Sequence, residues 1–145
     1  MQHKPLSIET VDSKVLNLAK NDIVWHNVAK FFPDNHLEKP IEGINLVELD
    51  ATTEIELKQH LEDFLQHLSQ DRQIERLSTT VAWGETEINH VYAMRKRAVG
   101  LLGNVEGEKR PQPFVEDTAV PPEYLAEYIA DFRQLLDHHG LEYGM

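Results

Sequence analysis

Residues 44–102 read INLVELDATTEIELKQHLEDFLQHLSQDRQIERLSTTVAWGETEINHVYAMRKRAVGLL, and the switching of hydrophobic period within them decides the fold. The opening residues 44–51 alternate, with Val47, Leu49 and Ala51 on one side, which predicts a strand. Thr53 and Glu56 have the spacing of a capping box, in which each side chain satisfies an orphan amide of the other. The helix opened there carries Leu57, Leu61, Phe64, Leu65 and Leu68 at helical spacing. Residues 74–82 have the β-branched content of a strand, and residues 85–102 return to a helical period.

Working outward, residues 5–11 predict a short strand with Leu6, Ile8 and Thr10 on one face. Asp12 or Ser13 then caps a helix carrying Val15, Leu16 and Ala19. A second helical stretch follows Asn21, with Val24, Val28 and Phe31 on a shared side, and stops at Pro33. One loop holds Pro33, Asp34, Asn35 and His36, with Pro40 and Gly43 following, and another runs over residues 103–113. Residues 114–120 predict a further strand, and Pro122 suits the first turn of a helix. That helix has Leu125, Tyr128, Ile129, Phe132, Leu135 and Leu136 inside, and Gly140 ends it as a left-handed residue does. Residues 141–145 begin something extended. From residue 44 onward strands and helices alternate. This predicts an α+β fold with a ferredoxin-like antiparallel or mixed sheet and helices mainly on one face. A doubly wound parallel sheet is the runner-up, but it lacks the glycine-rich turn a nucleotide needs. The expectation is a single domain over 1–145, with 1–43 as a lead-in and 44–145 as the alternating core.

Composition narrows the function. The chain has 145 residues, and 14 Lys+Arg against 25 Asp+Glu give a net charge of −11. Such a chain has no electrostatic reason to seek phosphate backbones or anionic lipid. A 41% apolar share suffices for a core, and the short apolar runs span no bilayer. The absence of cysteine excludes disulfides, thiol catalysis and iron–sulfur ligation by these residues, and with the lack of a signal peptide it points to the cytoplasm. Among the eight histidines, His138 and His139 are adjacent and His60 and His67 lie about two turns apart, so no metal site is expected. A small hydrolase would need an assembled nucleophile, and no GxSxG elbow is present.

Two features carry chemistry. On a wheel of about 100° per residue, Ile88, Val91, Tyr92, Val99 and Leu102 form one stripe of the 85–102 helix, with Arg95 near its middle. A guanidinium there either pairs with a core carboxylate, snorkels past the helix edge, or forks onto a ligand carboxylate. In residues 114–125, FVEDTAVPPEYL, adjacent Glu116 and Asp117 point to opposite faces of the predicted strand. They either sit wet on an edge strand or aim one acid at a pocket rim. A non-catalytic, ferredoxin-like interaction or ligand-binding module accommodates the same features.

Residues 91–128, from Tyr92–Arg95 through the loop 103–113 to Glu116–Pro121 and the following helix, resemble the cap domain of FAD-linked oxidases of the vanillyl-alcohol-oxidase and p-cresol-methylhydroxylase superfamily. Residues 4–20 add to the likeness. The resemblance is nearest to large bacterial members that carry FAD and a 4Fe-4S region and oxidise D-2-hydroxyacids, with D-2-hydroxyglutarate favoured. It implies that Arg95 binds the substrate carboxylate, that one of Glu116 and Asp117 lies toward the flavin, and that the partner is an FAD-binding lobe of the same polypeptide. Some relatives use a lysine before Glu116, where this chain reads Pro113, Phe114 and Val115. Lys109 and Arg110 are the candidates for that contact. The expectation is an excised piece of a longer flavoprotein, inactive alone.

Overall fold

The computed structural model describes residues 3–32, 39–102 and 118–144, apart from the Leu102 side chain. Two antiparallel strands, β1 (Ser7–Asp12) and β2 (Gly43–Glu48), pair from Ser7 opposite Glu48 to Asp12 opposite Gly43. Five α-helices accompany them: α1 (Ser13–Lys20), α2 (Trp25–Val28), α3 (Glu54–Gln70), α4 (Glu85–Leu102) and α5 (Leu125–His138). Single 3₁₀ turns at Ala29–Phe31 and Pro122–Tyr124 extend α2 and lead into α5.

The local signals explain most of these elements. Asp12 ends β1 and caps α1, its Oδ1 accepting from the Val15 amide at 2.9 Å. The α3 capping box is complete, with Thr53 Oγ1 accepting from the Glu56 amide and Glu56 Oε2 accepting from the Thr53 amide. Asp22 Oδ1 accepts from the Val24 amide, which opens the short helical stretch before the chain reaches α2. Gly140 adopts φ +63° after α5, and the amides of Gly140 and Leu141 return to the carbonyls of Asp137 and Leu136. This is the paired-carbonyl helix ending that a left-handed residue makes possible.

The core lies where β1, α1, α2 and α4 meet. Val11, Val15, Leu16, Ala19, Val28, Met94 and Ala98 are buried together, with Ile44 and Val91 packed against them. Side-chain direction alternates along a strand, so Ser7, Glu9 and Val11 face the helices while Leu6, Ile8 and Thr10 face away. Leu6 and Ile8 are accordingly 60% and 50% exposed. The face that groups Leu6, Ile8 and Thr10 is therefore the outer one.

Other expectations change as well. Residues 74–82 form no strand. Their β-branched side chains have no ladder partner among the described residues. Instead Arg76 folds back to the end of α3, donating to the Leu68 carbonyl and to Asp71, and Thr80 Oγ1 donates to the Phe31 carbonyl. The antiparallel β1–β2 ladder excludes the doubly wound parallel alternative for the described sheet. Residues 118–120 and 141–144 are not in strands. The predicted loops around Pro33 and over 103–113, and the predicted strand residues 114–117, lie outside the described residues. No described helix is long and apolar enough to cross a membrane.

Candidate functional site

Arg95 is on α4, but not on its buried face. Met94 and Ala98 are fully buried and Val99 is half exposed, so the inward direction lies roughly a quarter-turn from the centre of the stripe read from sequence. The displacement has a simple cause. Met94 and Ala98 pack into the cluster with Val15, Leu16 and Ala19 of α1, while Val99 lies outside it.

Arg95 therefore sits on the flank of the seam, where α4 passes β1. Its Nε lies 2.6 Å from Glu9 Oε2, and the side chains are 42% and 29% exposed respectively. Glu9 Oε2 is itself buried and has no aligned hydrogen-bond donor, so this is a close ion pair rather than a directed hydrogen bond. No hydrogen bond joins the Arg95 Nη atoms to another described residue. Of the alternatives open for Arg95, the structure displays the paired one at Nε, with the side chain as a whole partly exposed.

One turn earlier on α4, Tyr92 donates from Oη to Glu48 Oε2 at 2.6 Å. Ser7 Oγ donates to the same oxygen at 3.2 Å and lies 3.4 Å from Tyr92 Oη. The Ser7–Glu48 pairing of the ladder brings these two side chains to one spot. The bond to the Glu48 carboxylate raises the Tyr92 phenol above its ordinary pKa, since losing the proton would place two negative oxygens together, and burial adds to the rise. Tyr92 is thus a poor base near neutrality and acts as a bolt between α4 and the sheet.

A cleft of about 1200 Å³ opens beside this network. Glu48 and Tyr92 line it with Leu61 and Phe64 of α3 and Trp83 before α4, whereas Arg95 and Glu9 do not. Lys109, Arg110, Glu116 and Asp117 lie outside the described residues. Glu9 was not singled out in the sequence, where the reading of this strand grouped only Leu6, Ile8 and Thr10 on one face. The available signal was a lone acid between Ser7 and Val11 at the two-residue spacing of one strand face.

The FAD implied by the resemblance needs a seat for its diphosphate, commonly a helix start with free amides. At the described helices of eight or more residues these positions are acidic or already capped. Asp12 caps α1, Glu54 and Glu56 open α3, Glu85 and Glu87 open α4, and Glu127 lies in the first turn of α5. Such carboxylates repel a diphosphate, so the starts of these four helices do not fit the dinucleotide. The described residues gather no cluster of three or more metal-ligating side chains.

The model of the family described as FAD linked oxidases, C-terminal domain, matches residues 1–145. A Pseudomonas putida protein named D-2-hydroxyglutarate dehydrogenase is 63% identical over 145 residues, covering 100% of this chain and 14% of the relative. Proteins of the same name from Haemophilus influenzae and Escherichia coli are 48% and 46% identical, covering 97% and 100% of this chain and 14% of each relative. The chain thus spans about 14% of the length of the curated relatives it matches. No solved structure matches it. With the whole chain covered by the family model, this protein belongs to the FAD-linked oxidase C-terminal domain family.

Proposed function

We propose that this chain is the substrate-side domain of an FAD-dependent oxidoreductase that oxidises a D-2-hydroxyacid, D-2-hydroxyglutarate, to the 2-oxoacid. Support comes from family membership and from the name shared by relatives up to 63% identical. The observation that carries the residue-level reading is Arg95, a partly exposed guanidinium paired at Nε with Glu9 and with no hydrogen bond from its Nη atoms to another described residue. A planar cation held this way suits a carboxylate, which accepts two parallel N–H bonds. Arg95 is accordingly assigned to the substrate carboxylate, with Lys109 and Arg110 as further basic contacts and one of Glu116 and Asp117 toward the flavin.

FAD and its binding lobe belong, on this reading, to other parts of a longer polypeptide, as does a 4Fe-4S centre. The cysteine-free sequence supplies no ligands for such a cluster. The two-stranded ladder, with α1 and α4 on one face, is read as part of a ferredoxin-like sheet in a single cap domain over 1–145. The cytoplasmic placement belongs to the same proposal. The test is steady-state kinetics of the full-length flavoprotein with Arg95→Ala and Arg95→Lys. Both should lose about 2–4 kcal/mol in kcat/KM, because the missing fork leaves a carboxylate unpaired and lysine cannot restore it. Wild-type kinetics in both variants would remove Arg95 from the substrate site. The isolated chain should show no turnover, and a yellow, active preparation after desalting would refute that part.

A further inference from the structure

We propose that Glu9 is the positioning residue for Arg95, holding the Nε side of its guanidinium so that the Nη side is presented to a ligand carboxylate. The inference rests on the substrate-carboxylate reading of Arg95 and deepens it with a residue from a different element.

The alternation of β1 carries Glu9 to the helix-facing side, between Ser7 and the buried Val11. A carboxylate oxygen buried without a donor is unfavourable unless a fixed cation compensates it. Arg95 Nε at 2.6 Å is that cation. The neighbouring acid, Glu48, is engaged at Oε2 by both Tyr92 and Ser7. The same bonds tie α4 to the strands one turn before Arg95, which fixes the distance between the Arg95 backbone and Glu9.

An arginine side chain has many rotamers, and immobilising it on binding is costly. Glu9 moves that ordering into the folded, ligand-free state. Contact at Nε also leaves the outer edge of the fork open. A carboxylate that merely stood in for the substrate would compete for the guanidinium instead, and its removal would tighten binding.

The experiment is steady-state kinetics of the full-length flavoprotein on D-2-hydroxyglutarate, comparing wild type, Glu9→Gln, Glu9→Asp, Arg95→Lys and the Glu9→Gln/Arg95→Lys double variant. Glu9→Gln keeps size and loses charge, and should raise KM about tenfold while kcat changes less than about threefold. Glu9→Asp retains the charge and should fall between wild type and Glu9→Gln, which also supplies the reading should Glu9→Gln fail to fold. With the pair already broken in Arg95→Lys, adding Glu9→Gln should bring little further loss. An unchanged or lowered KM in Glu9→Gln, or fully additive losses in the double variant, would overturn the positioning role while leaving the Arg95 assignment intact. Wild-type kinetics in Arg95→Lys would overturn both.

Discussion

Arg95 and Tyr92 are three residues apart on α4, yet their surroundings give them opposite tasks. Arg95 keeps one edge of a charged fork accessible, whereas Tyr92 spends its hydroxyl on Glu48. The raised Tyr92 pKa makes a signed expectation. Its contribution to stability is complete below the unfolded-state value of about 10 and disappears as pH climbs through the higher folded-state value. Tyr92→Phe should therefore destabilise the chain by about 1–2 kcal/mol at pH 7. Urea denaturation of both proteins should show that difference shrinking as pH rises beyond 10. Arg95 was legible in the sequence as a charge near the middle of an apolar stripe, although the structure puts it on the flank of the buried face. Its partner was not, because the alternation of β1 groups Leu6, Ile8 and Thr10 on one face without telling which face meets the helices.

At the scale of elements, short-range chemistry was readable and long-range pairing was not. The Thr53–Glu56 box, the Asp12 cap and Gly140 depend on residues within a few positions of one another, and each is found where its spacing predicted. Thr53→Ala should cost about 1 kcal/mol of stability and reduce hydrogen-exchange protection in the first turn of α3. Residues 74–82 show the other side. Strand propensity describes a side chain that fits a pleated surface, and it becomes a strand only when an edge is offered. Here Arg76 ties the segment back to α3, and the threonines beyond it run without a ladder. Likewise the helical period of α4 was clear, but its direction depended on Met94 and Ala98, whose weight in the pattern is small and whose fit against α1 is close.

For the molecule as a whole, stability rests on one compact meeting of β1, α1, α2 and α4. Truncating a fully buried side chain there usually costs about 2–5 kcal/mol, against a total of roughly 5–15 kcal/mol for an ordinary domain. Met94→Ala should therefore lower the thermal midpoint sharply by circular dichroism, while Leu135→Ala, at a half-exposed position of α5, should have little effect. Much of the remaining apolar surface is uncovered, including Leu125 and Leu135 on α5, Ile8 on β1 and Leu6 just before it. On the proposed reading, this is the surface that a cap domain would turn toward other parts of a longer flavoprotein.

The outer side of β1 has a practical consequence. A flat ribbon with greasy, solvent-facing positions is a template on which further copies can stack, and a net charge of −11 opposes that only through general repulsion. Preparations of the separated unit should grow turbid as salt is added, because screening removes the repulsion first. Ile8→Lys would set a charge on that ribbon without disturbing the buried seam, and light scattering should then remain low at salt concentrations that cloud the parent sequence.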